Sequence, residues 1–167
     1  IKNKKVLIWA EQGYGDTLQF CRYVKLLIEA GAIIKFEVPD PLAPLIQSIE
    51  GCTVFSEGEN FGEVDFQIPL LSLPLYFQTK LESIPNRVPY LNANEEKVCE
   101  WLEKLDLDQS KLNIGIACSG NLLFDKKHGN TRPIPLSEFG CLVDVAKLFL
   151  IQKEVRPDDR AYLNEHP

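Results

Sequence analysis

Short apolar runs alternate along this chain with stretches in which hydrophobic residues return every three or four positions. Residues 5–10 (KVLIWA) form the first run, which predicts a buried parallel strand. A glycine-containing turn over 11–15 follows. Leu18, Cys21, Val24 and Ile28 then share one face of a helix expected over 16–30, with Asp16 and Thr17 at its start and Gly31 as its stop. Residues 32–38 (AIIKFEV) read as a second strand, 41–48 as a short helix and 53–55 as a third strand. Strand, helix, strand, helix, strand is the order of a doubly wound sheet.

Beyond this point the pattern is less regular. Residues 64–68 fit a short fourth strand, while 70–89 are apolar but broken by prolines and suit a packed loop with one helical turn. Val98, Trp101, Leu102 and Leu105 make the apolar side of an amphipathic helix over 95–105. Residues 112–118 (LNIGIAC) predict another buried strand, 119–135 a polar loop, 136–146 a helix and 148–152 a last strand. Trp9 and Trp101 are both expected in the core. The chain shows no internal repeat and no low-complexity segment. The pattern as a whole predicts an α/β fold: a Rossmann-like, doubly wound, mostly parallel sheet.

Composition narrows this picture little. At 167 residues the chain fits one domain, here residues 1–155, with polar residues 156–167 and their two prolines as a linker. The net charge of −6 disfavours nucleic acid and anionic membranes as partners. No apolar stretch is long enough to span a membrane, and the start lacks the pattern of a signal peptide. The five cysteines never form a C-x-x-C pair, so free buried thiols in a reducing, cytoplasmic setting are expected. A first residue of isoleucine and the lack of any methionine suggest a piece of a longer protein.

The turn Glu11-Gln12-Gly13-Tyr14-Gly15-Asp16 joins the first strand to the first helix, on the edge where open α/β sheets bind ligands. Three readings compete there. Gly13 and Gly15 could belong to a dinucleotide fingerprint, with Glu37 as the ribose-binding acid, although Leu18 holds the third glycine position and Asp16 puts a negative charge where a pyrophosphate would sit. Asp16 could instead be only a helix cap. Or its carboxylate could accept a proton from an alcohol held within hydrogen-bond reach. Spacing alone does not choose between cap and base.

A second loop, from Ser119-Gly120-Asn121 to Arg132, follows a buried strand and should emerge on the same edge as Asp16. Lys126, Lys127, His128 and Arg132 give it positive charge that could neutralise phosphates. His128 and His166 have no i+4 partner and no neighbouring cysteine, so no metal site is expected. No nucleophile elbow or P-loop is present.

Four strings extend the reading: E-Q-G-Y-G-D-T-L-Q-F-C-R-Y (11–23), P-L-L-S-L-P-L (69–75), S-I-P-N-R-V-P-Y-L (83–91), and I-G-I-A-C-S-G-N (114–121) with R-P-I-P-L (132–136). In order and spacing they resemble the glycosyltransferase-like domain found behind tetratricopeptide repeats in bacterial proteins, which is similar to the heptosyltransferases. The resemblance covers nearly the whole chain. It implies the N-terminal, acceptor-side lobe of a two-lobed GT-B arrangement. The nucleotide-sugar donor would bind mainly in a C-terminal lobe, and a hydroxyl compound would be the acceptor. It further implies Asp16 as general base and Gln12, Gly13, Gly15, Ser119, Asn121 and Arg132 as substrate contacts. The donor enters as a substrate, and no cofactor is expected. Cys118 stands where the family commonly has tryptophan, and Pro133 where it commonly has serine. The alternative is a non-catalytic module that binds a glycan or a protein.

Overall fold

The computed structural model describes residues 1–120 and 133–166. The chain divides into two compact units, residues 1–99 and 100–167.

In the first unit, β1 (Lys5–Trp9), β2 (Ile33–Val38), β3 (Cys52–Ser56) and β4 (Phe66–Pro69) form one sheet in the order β3-β2-β1-β4. Every pairing is parallel; Ile8 lies opposite Phe36 on one side and Ile68 on the other. Parallel neighbours cannot be joined by tight hairpins, so the chain must cross over between them. From β1 to β2 it passes through α1 (Tyr14–Phe20), a 3-10 turn (Cys21–Tyr23) and α2 (Val24–Glu29). From β2 to β3 it uses a 3-10 turn (Asp40–Leu42) and α3 (Ala43–Ile46). The fold of this unit is therefore α/β with a parallel sheet flanked by helices, consistent with a Rossmann-like topology.

The even-numbered residues of β1 and β2 explain where the core sits. Val6, Ile8, Ile34, Phe36 and Val38 share one face and pack with Val24 and Leu27 of α2 and Ile46 of α3 in a single buried cluster. The row on the opposite face runs Gln67, Leu7, Lys35 and Thr53. There the β3–β4 connection is tied down by Lys35, whose Nζ donates to the carbonyls of Phe61 and of Glu63, the latter at 3.2 Å. Leu7 is buried too, so three consecutive residues of β1 are out of water and its apolar run is unbroken.

The helix expected over 16–30 starts two residues earlier and is interrupted. At the break, Cys21 Sγ donates to the Leu18 carbonyl and Arg22 Nε to that of Gln19, so side chains compete for the carbonyls that would continue the ladder. Gly31 does stop α2, with a φ of 85° that favours glycine. The proline-rich stretch holds a 3-10 turn (Leu70–Ser72), α4 (Leu73–Tyr76) and another 3-10 turn (Leu81–Ser83). Arg22 fastens its far end, donating to the Pro85 carbonyl at 3.1 Å and covering the Tyr90 ring at 4.3 Å.

Helix α5 (Glu95–Lys104) begins in the first unit and ends in the second, capped by Asn94, whose Oδ1 accepts from the Lys97 N–H. Its apolar side is not buried: Val98, Trp101 and Leu102 are 42%, 56% and 54% exposed, so Trp101 is no core residue. Trp9 is half-buried.

The second unit contains β5 (Leu112–Ile116) and β6 (Ala146–Leu150), a parallel pair in their own sheet. Strand β5 is shorter and wetter than its sequence suggests, with only Ile116 buried. Residues Leu136–Leu142 form a 3-10 helix where an α-helix is expected. Gly140 lies directly under the Tyr162 hydroxyl, which is 2.7 Å from where a Cβ would be, so any larger residue there would force the Tyr162 ring to move. Tyr162 belongs to α6 (Pro157–Glu165), a helix within the segment 156–167 that was expected as a linker. Pro157 at the first helical position with Asp158 and Asp159 behind it starts a helix well, because a missing N–H costs nothing there and acids suit the first turn.

Candidate functional site

The sheet edge at the C-terminal end of β1 is built by backbone geometry. The Ala10 N–H still donates to the Glu37 carbonyl at 3.0 Å, the last tie to β2. Residues 11–13 then leave the sheet, and Gly13 caps α1 with extended backbone (φ −69°, ψ 168°). Since β1 pairs with β2 on one side and β4 on the other, this edge lies at the strand where the sheet order turns. That is where open α/β sheets form their ligand crevice. The 3-10 turn that follows β4 packs against α1 here.

Asp16 occupies the third position of α1 and is half-buried. Its Oδ2 accepts from the Gly13 N–H at 3.1 Å, while the Thr17 N–H and hydroxyl donate to the Gly13 carbonyl at 3.1 and 3.3 Å. The carboxylate therefore does cap the helix, reaching backwards to the N-cap amide in the manner of a capping box. One oxygen suffices for that bond, and Oδ1 has no hydrogen-bond partner among the described residues.

Gln12, Gly13 and Gly15 are exposed beside it. Neither glycine is demanded by packing: a Cβ at Gly13 would meet nothing closer than 3.4 Å, and one at Gly15 nothing within 4 Å. The effect of both glycines is to leave the backbone at this edge bare. Tyr14, 50% exposed, stands between them. Glu37, the candidate ribose-binding acid, is engaged otherwise, with its Oε1 accepting from the Gly58 N–H at 2.9 Å.

Ser119 lies in the second unit, past the end of β5. Asn121 and Arg132, together with Lys126, Lys127 and His128, lie outside the described residues. The structure thus brings together Gln12, Gly13, Gly15 and Asp16, and places Ser119 in a separate arrangement.

That second arrangement holds residues the sequence reading missed. Gln152, just past β6, accepts with Oε1 from the N–H groups of Cys118 and Ser119 at 2.9 and 3.1 Å and donates from Nε2 to the Ser119 carbonyl at 2.8 Å. The Ile134 N–H donates to the Cys118 carbonyl at 3.0 Å, closing the stem between residues 118 and 134. Asp159 accepts from the Leu136 N–H at 2.9 Å and pairs with Arg156 at 2.5 and 3.0 Å, and Arg156 also donates to the Ile134 carbonyl. Burial works to raise the Asp159 carboxyl, but hydrogen bonds from Arg156 and Leu136 outweigh it and hold the group below the usual carboxylate range. A helix-start signature at Arg156-Pro157-Asp158-Asp159 was the available signal for this cluster.

All five cysteines are free. Cys118 is packed inside, with Sγ 4.0 Å from the Asp159 carboxylate. Burial pushes the Cys21 and Cys52 thiols up to about 12, which leaves them inert; Cys99 and Cys141 are exposed, contrary to expectation. Among the described residues no group of histidine, cysteine or acidic side chains could hold a metal ion, and no helix is long and apolar enough to cross a membrane. Comparison with known proteins found no matching family model, no matching curated protein and no matching solved structure.

Proposed function

We propose that this chain is the acceptor-side half of a glycosyltransferase of GT-B type, one that transfers a sugar from a nucleotide donor to a hydroxyl acceptor. The observation that supports this most is the Asp16 carboxylate at the turning point of a parallel sheet. One of its oxygens is occupied by the helix cap, and bare glycine backbone lies beside it. In this reading Asp16 accepts the acceptor's proton as the new glycosidic bond forms, and the cap bond fixes its rotamer. Gln12, Gly13 and Gly15 contact the acceptor. Ser119, Asn121 and Arg132 contact substrate from the second loop, with Arg132 neutralising phosphate charge as the nucleotide leaves. The partners are a C-terminal lobe carrying the donor site and upstream tetratricopeptide repeats, and the setting is the cytoplasm.

The test is turnover of a nucleotide-sugar panel by the full-length protein, with Asp16→Asn alongside. Asparagine keeps an oxygen for the Gly13 N–H, so the melting temperature should stay nearly unchanged while nucleotide release is lost. Full activity in the variant would remove Asp16 as the base. The bond from the Gly13 N–H to Asp16 also favours a second reading, in which Asp16 is structural and the module binds a glycan or protein without turnover. Saturable binding without product would select it.

A further inference from the structure

Among the described residues only two polar residues are buried, Asp159 in the second unit and Thr17 in the first. Thr17 is 1% exposed and follows Asp16 on α1. Taking a hydroxyl out of water costs free energy that a valine, of nearly the same shape, would not incur. The hydroxyl does have a partner, since Oγ1 donates to the Gly13 carbonyl at 3.3 Å. Yet that carbonyl already accepts from the Thr17 N–H at 3.1 Å, so it needs no second donor to be satisfied. A second bond to a paired acceptor adds little net stability. What it adds is direction. Gly13 has no side chain and so the widest backbone freedom of any residue. It is held here from both sides: Thr17 grips its carbonyl, and Asp16 Oδ2 accepts from its N–H at 3.1 Å.

We propose that Thr17 is a positioning residue for Asp16. With its carbonyl fixed by two donors, Gly13 is kept from turning, so its N–H stays aimed at Asp16 Oδ2 and the carboxylate keeps one rotamer. Asp16 Oδ1, which has no hydrogen-bond partner among the described residues, then meets the acceptor hydroxyl in the same place at each turnover. The proposal rests on the transferase reading above, in which Asp16 is the base. Thr17 itself is buried and does not touch substrate; its effect passes through Gly13 and Asp16.

The test uses the full-length protein with the nucleotide sugar and acceptor that the panel identifies. Two variants divide the side chain between them, and kcat, KM and Tm are measured for both. Thr17→Val keeps the buried shape and removes the hydroxyl, whereas Thr17→Ser keeps the hydroxyl and removes a buried methyl. A reacting group displaced by about 1 Å costs about a hundredfold in rate, and a loosened rotamer less. Thr17→Val should therefore lower kcat roughly tenfold, with KM for both substrates within about twofold and Tm close to that of the wild type. Thr17→Ser should do the reverse, lowering Tm while kcat stays within about twofold, because a methyl is lost from a packed site. A purely structural Thr17 gives a kcat that follows Tm, with the serine variant slower and the valine variant unimpaired. That pattern overturns the proposal, and so does a Thr17→Val protein that does not fold. If the wild type turns over and Asp16→Asn does not, an unchanged kcat in Thr17→Val removes this inference alone. A wild type silent on the whole panel removes the transferase reading, full activity in Asp16→Asn removes the base, and either takes this inference with it.

Discussion

The two units of this chain use the same kind of strand to very different depths. In residues 1–99 four parallel strands and their helices bury fifteen residues in one cluster, among them Ile8, Val24, Phe36, Ile46 and Leu73 at 0% exposure. In residues 100–167 two parallel strands share a cluster of three, Ile116, Cys118 and Leu136. Leu112, Val143, Val145 and Ile151 there are each more than half exposed. Trp101, Leu105, Leu148, Leu150 and Ile151 line an open groove of about 780 Å³. A parallel pair of strands has too little surface to shed water by itself. What holds the second unit together is instead polar: the Gln152 and Arg156–Asp159 hydrogen bonds around the loop stem. Apolar burial supports the first unit, directional bonding the second.

The strongest way to break the comparison is to cut the first core at its centre. Phe36 is fully buried on β2, between Ile8 and Val54 in register. Phe36→Ala should cost about 3–5 kcal/mol, the range for removing a large side chain from a packed core. Amide exchange should report it as lost protection throughout β1 and β2, which in the wild type should exchange more slowly than β5 and β6. Equal protection in the two sheets of the wild type would deny the contrast.

Next in size is the polar anchor of the second unit. Asp159→Ala leaves the buried Leu136 N–H without its acceptor and Arg156 without its charge partner, and should cost about 2–3 kcal/mol. A pH titration gives the same answer without a mutation. The Asp159 carboxyl lies lower in the folded chain than in the unfolded one, where it is near about 3.9. Its contribution is therefore complete above that value and is lost as pH falls through the folded-state pKa. Acid should loosen residues 133–166, with exchange at the Leu136 amide rising first, and Asp159→Ala should abolish that early phase.

This division also explains what could be read from the residues alone. Strand β1, the alternation in β2 and the stop at Gly31 were legible because burial on a sheet and a left-handed turn leave periodic or single-residue marks. The edge from Gln12 to Asp16 was legible for a similar reason, as a glycine-rich step from strand to helix. The second unit left weaker marks. Its apolar residues suggested a core that two strands do not provide, so 112–118 read as buried and α5 as core-facing. Gln152, Arg156 and Asp159 escaped notice because bonds from side chain to backbone follow no period. Prolines at 157 and 167 suggested a linker, although the first of them opens a helix.

The smallest expected effect sharpens the comparison from the other side. By size Trp101 should be among the most important residues of the chain, since aromatic side chains contribute large buried areas wherever they are enclosed. Here it is 56% exposed, and Lys104 Nζ lies 5.6 Å from its ring centre, over a surface open to water. Trp101→Ala should therefore cost less than about 1 kcal/mol, a surface value and several times below that of Phe36→Ala despite the larger side chain. Urea unfolding of the two variants side by side is the measurement. If Trp101→Ala proved as costly as Phe36→Ala, the groove it lines would have to be closed in solution, and the second unit would owe its stability to apolar burial after all.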